Sequence, residues 1–65
     1  MKNVFHVTIH YYDDTLSEVD VIAADDTKAR VAALAEDAKS YKAEGNKPPK
    51  VEYCEVEWIC KAINA

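Results

Sequence analysis

A single stretch, Asp25 to Gly45 (DDTKARVAALAEDAKSYKAEG), narrows the folds open to this chain more than any other. It carries a start signal, a run of helix formers and a stop signal. Asp25 or Asp26 can accept hydrogen bonds from the free amides of a first turn, and a carboxylate suits the positive end of the helix dipole. Ala29, Ala32, Ala33, Leu34, Ala35 and Ala38 are strong helix formers. Gly45-Asn46 is a left-handed stop, and Pro48-Pro49 forbids continuation. At about 100° per residue, Val31, Leu34, Ala35, Ala38 and Tyr41 fall on one arc and are the expected buried stripe. Arg30, Glu36, Asp37 and Ser40 fall opposite, with Ala29 and Ala33. Alanines let such a helix lie close to a sheet. With one helix in the chain, a sheet is its expected partner.

The remaining segments read as three strands. Residues 3–12 alternate, with Phe5, Val7, Ile9 and Tyr11 on one face and Val4, His6, Thr8, His10 and Tyr12 on the other. Asp13-Asp14-Thr15 is a turn. In residues 17–24, Val19, Val21 and Ala23 alternate with Glu18, Asp20 and Ile22, which predicts an antiparallel hairpin with the first strand. Asn46 to Lys50 is a return loop. In residues 51–61, Cys54, Val56, Trp58 and Cys60 share one face, and Tyr53, Glu55, Glu57 and Ile59 the other. A slip of one residue there would send Tyr53, Ile59 and Ile63 inside and Cys54 and Trp58 outside. The tail Ala62 to Ala65 extends this strand or frays.

The order ββαβ predicts an α+β fold and a single domain over residues 1–65. Its helix crosses from the second strand to the third. Those two strands then run parallel on either side of the first, in sheet order 2-1-3. The expected core is Phe5, Val7, Ile9, Tyr11, Val19, Val21, Ala23, Val31, Leu34, Ala35, Ala38, Cys54, Val56 and Trp58. One helix covers one face of the sheet. The other face stays open, which antiparallel pairing tolerates.

Charge and cysteines exclude several classes. The formal net charge is −4, which argues against direct nucleic-acid binding, since that depends on cationic contacts to phosphates. Between Tyr11 and Thr27 there are six acids and no base. Cys54 and Cys60 lie six residues apart in one strand, ~20 Å at ~3.3 Å per residue, so both are expected as free thiols. Free thiols suit a reducing compartment and a cytoplasmic location. No apolar run approaches the ~20 residues of a membrane span.

The candidate contact surface is the open face with the acidic turn: His6, Thr8, His10, Tyr12, Asp13, Asp14, Glu18, Asp20, Tyr53, Glu55 and Glu57. Tyrosines and histidines among acids suit a basic or mixed protein partner. Carboxylates there mimic phosphates and steer toward a basic, nucleic-acid-binding groove. A homodimer through the open face or an edge strand is the alternative, and a small histidine-based metal binder a third. The third is weakened by geometry, because His6 and His10 stand ~13 Å apart along a strand. A cross-strand Glu55 or Glu57 could join only one of them. No glycine-rich phosphate loop and no nucleophile motif accompanies them, so no catalytic residue, metal or cofactor is assigned.

The layout, and the passage from a strand ending VIAAD into a helix opening DDTKARVAAL, resembles small phage and mobile-element proteins of ββαβ build, some anti-CRISPR proteins among them. The resemblance implies a non-enzymatic inhibitor that occupies a surface on a larger host complex. It carries over no functional residue.

Overall fold

The computed structural model describes residues 2–62. Strand β1 spans Asn3–Tyr11, β2 Leu16–Ala23, helix α1 Asp26–Ala43 and β3 Val51–Lys61. The sheet order is β2-β1-β3, with β1 antiparallel to both neighbours. The ββαβ fold and its strand order are those expected from the pattern. Ile63 to Ala65, the end of the tail expected to extend the third strand or fray, lie outside the described residues.

Local signals account for the boundaries. The Asp25 side chain accepts from the Lys28 amide at 2.8 Å and caps α1. At the other end the Gly45 amide donates to the Lys42 carbonyl at 3.0 Å and the Asn46 amide to the Tyr41 carbonyl at 2.9 Å. Gly45 has φ 78°, which its missing Cβ permits. In the β1–β2 turn Asp13 Oδ1 accepts from the Thr15 amide at 3.0 Å and from the Thr15 hydroxyl. Asp14 takes the left-handed backbone position there, φ 69°, which aspartate tolerates better than most residues.

The core is built on β1. Phe5, Val7, Ile9 and Tyr11 are buried, with Ala23, Ala29 and Ala33. Val19, Val21, Leu34, Tyr41, Val51, Cys54 and Val56 pack against them, half-buried. Two expectations are corrected here. First, α1 is turned by roughly one residue's step, about 100°, from the expected stripe. Ala29, Ala33 and Asp37 face the sheet, whereas Val31 is 59% exposed and Ala35 and Ala38 are exposed too. Alanines surround this helix, so hydropathy gives it almost no sidedness. Size decides instead: the smallest row meets the large side chains of β1. Asp37 is tolerated in that row because the Tyr11 hydroxyl donates to it.

Second, Trp58 is not core. It stands opposite Phe5, on the helix side of the sheet, yet is 56% exposed. The link from β2 to α1 is only Ala24-Asp25, whereas residues 44–50 return the chain to β3. The short link holds the helix closest to β2, and β3 receives less of its cover. Trp58 Nε1 donates to Asn3 Oδ1 at 3.2 Å.

Strand β3 carries two irregularities, one at each end of its pairing with β1. Around Ile59 the register steps so that Cys60 stands opposite Val4, on the open face, rather than on the core face as expected. Around Glu52 it steps so that Val51 stands opposite Tyr11 and joins the core. Cys54, opposite Ile9, keeps its core-side position, and both thiols are free.

Candidate functional site: the open sheet face

The helix leaves the second face of the sheet uncovered, and the pairing register arranges that face in four rows. They are Ile22–Val4–Cys60, Asp20–His6–Glu57, Glu18–Thr8–Glu55 and Leu16–His10–Tyr53. Two acidic rows therefore sit between two mostly apolar ones. None of these twelve residues is lysine or arginine. Rows succeed one another every two residues, about 7 Å, and the outer strands lie about 10 Å apart. Glu18 and Asp20 form one carboxylate file, and Glu55 and Glu57 the other.

The histidines of the central strand engage these files. His6 Nδ1 lies 2.6 Å from Asp20 Oδ1, and His6 Nε2 lies 3.1 Å from Glu18 Oε1. Hydrogen bonds to Asp20 first, and to Glu18 next, raise the His6 pKa above its ordinary 6.5. His10 Nε2 lies 2.6 Å from Glu55 Oε1, and its ring stacks on Tyr53 with centroids 4.2 Å apart. Both imidazoles are less exposed than the carboxylates they meet: the His6 side chain is 32% exposed against 66% for Asp20. Thr8 lies between Glu18 and Glu55, and Glu57 lies opposite His6.

Of the expected contact residues, His6, Thr8, His10, Glu18, Asp20, Tyr53, Glu55 and Glu57 share this face. Tyr12, Asp13 and Asp14 do not join the rows. They belong to the turn at the end of the sheet, where Lys50 Nζ lies 5.5 Å from the centre of the Tyr12 ring. Asp13 is committed to that turn. The Thr15 hydroxyl, followed by the Thr15 amide, holds its carboxyl below the usual range. Leu16, Val4, Ile22 and Cys60 complete the face. Leu16 was legible, since it continues the alternation of Glu18, Asp20 and Ile22 by one step; Cys60 was hidden by the irregularity at Ile59.

The carboxylates around His6 approach different ring nitrogens, so the three groups do not converge on one point. Among the described residues no group of three histidine, cysteine or acidic side chains is placed to hold a metal ion. On the helix side, Ser17, Asp37, Ser40, Tyr41 and Glu44 line an open hollow of about 230 Å³. Its hydroxyls lie across the sheet from both histidines, so neither serine has an imidazole base. No described helix is long and apolar enough to cross a membrane.

No protein-family model, curated protein or solved structure matches this chain.

Proposed function

We propose that this protein is a non-catalytic docking module whose open sheet face, with the acidic turn beside it, binds a basic surface on a larger protein or nucleoprotein complex. The observation that carries this reading is the pair of carboxylate files, Glu18–Asp20 and Glu55–Glu57, on a face with no lysine or arginine in its rows. Such an array attracts a groove that ordinarily holds phosphates. The flanking rows favour a protein partner over a bare polycation: Ile22, Leu16 and Tyr53 are each more than half exposed and offer apolar contact beside the charges. The resemblance of its layout to small phage ββαβ proteins supports, as the proposed partner, a host defence complex in the cytoplasm, with inhibition as the outcome. The test is capture of partners from host lysate, followed by elution with duplex DNA. The reading expects a partner that DNA displaces and that a Glu18→Gln, Asp20→Asn, Glu55→Gln, Glu57→Gln variant does not retain. Equal retention by the variant, or indifference to DNA, overturns it.

A second reading has its own observation. Trp58 and Ile59 are exposed on the uncovered β3 edge, which suits edge-to-edge pairing with a second copy. Face-to-face pairing is disfavoured, because it would set carboxylate files against each other. Light scattering at low micromolar concentration decides, and a monomer near 7 kDa removes this reading.

A further inference from the structure

His6 is held on both sides by acceptors. A neutral imidazole has one N–H and one lone-pair nitrogen, so it can satisfy only one carboxylate and must turn a lone pair toward the other. Both the 2.6 Å contact to Asp20 and the 3.1 Å contact to Glu18 are hydrogen bonds only when the ring carries two protons. The free protein thus supplies its own counter-cation for the β2 carboxylate file. Other groups reinforce this. Glu57 of β3 stands opposite His6, while Val4 and Thr8, its neighbours on the same face of β1, carry no charge. No group of α1 faces it, because the helix lies on the other side of the sheet. The second histidine differs: a neutral His10 can donate its single N–H to Glu55 and leave its other nitrogen free.

An arriving cation changes this balance. A guanidinium or ammonium that settles on Glu18 and Asp20 takes the same acceptors and places a positive charge against the ring. Building on the docking reading above, we propose that the basic partner inserts arginine or lysine side chains over the Glu18–Asp20 file and expels the second proton of His6, so that docking is an exchange of a proton for a cation. The step balances: the His6 ring loses H⁺ to solvent, the carboxylates keep their charge, and the incoming cation replaces the imidazolium. The exchange gives docking a sign with pH. Where the free protein holds the proton and the complex does not, affinity strengthens as pH rises, by up to about tenfold per pH unit for one proton. Simple charge attraction between carboxylates and arginines would show no such rise across the histidine range.

The test uses the full chain and a hexaarginine peptide, titrated calorimetrically at constant salt at about pH 6 and about pH 8, the span in which histidines titrate. Each titration is repeated in two buffers of different protonation enthalpy. The expected result is tighter binding at the higher pH, by about tenfold, with proton release at the lower one. The pH dependence and the proton release should both disappear in His6→Gln, whatever its absolute affinity, and persist in His10→Gln. NMR titration of the His6 ring, with and without peptide, gives the same answer without a substitution: the bound ring should titrate at lower pH. Peptide binding that is equal at both pH values, with no proton released, overturns the exchange and leaves the docking reading standing. No binding of the peptide under either condition overturns both.

Discussion

Tyr11 donates its hydroxyl hydrogen to Asp37, and this bond ties the end of β1 to the middle of α1. Both residues are buried. Burial first, and the Asp37 carboxylate next, raise the Tyr11 pKa well above its ordinary value. Tyr11→Phe leaves the carboxylate without its donor and should destabilise the fold by about 1–3 kcal/mol, read from urea denaturation. Asp37→Leu combined with Tyr11→Phe should cost less than the sum of the single changes, because no buried group is then left unpaired. Additive losses would mean that the two side chains do not depend on each other.

The same pair predicts a response to base. The folded Tyr11 pKa is raised, so its stabilising effect is complete below pH ~10, where unfolded tyrosine titrates. It is lost as pH climbs through the folded value. Denaturation midpoints should fall above pH ~10, and fall less in Tyr11→Phe.

Rotation of α1 is tested by volume. Ala33 is fully buried, and Ala33→Leu should destabilise by about 1–3 kcal/mol through overpacking. Ala38 is exposed, and Ala38→Leu should stay within about 0.5 kcal/mol of the parent. The reverse order would restore the stripe expected from hydropathy.

Trp58 should behave as a rim residue. Its fluorescence should resemble that of hydrated indole and be quenched readily by acrylamide. Trp58→Ala should lose clearly less than the about 3–5 kcal/mol typical of a buried tryptophan. A blue-shifted, protected emission would place the ring under cover, either beneath the helix or against a second copy.

His6 supplies a prediction near neutrality. Its folded pKa is raised, so its stabilising contribution is full below the unfolded value near 6.5 and fades as pH rises through the folded one. Melting temperature should decline across that window in the parent and flatten in His6→Gln. A parent curve that rises there would contradict the carboxylate pairing seen around the ring.

The strand pattern was plain in the sequence because period-two alternation is strong in residues 3–12 and 17–24. Caps were plain too: Asp25 and Gly45 act through local chemistry. What the sequence hid were relations between segments. Hydropathy pointed to Val31, but fit to the ring of Tyr11 and the bulk of Phe5 and Ile9 selected Ala29 and Ala33. Trp58 keeps the face its alternation implied, yet the two-residue link from β2 to α1 draws cover away from it. At Cys60 a change of register defeats alternation, and no local residue signals it. The open-face files, by contrast, followed directly from alternation, since Glu18, Asp20, Glu55 and Glu57 occupy the face expected of them.

The most direct measurement is a backbone-amide NMR map of the protein with increasing hexaarginine peptide. The account predicts shifts concentrated at Glu18, Asp20, Glu55, Glu57 and the two histidines, abolished when the four acids become amides. Shifts confined to the outer side of α1, or an unchanged map in the amide variant, would contradict it.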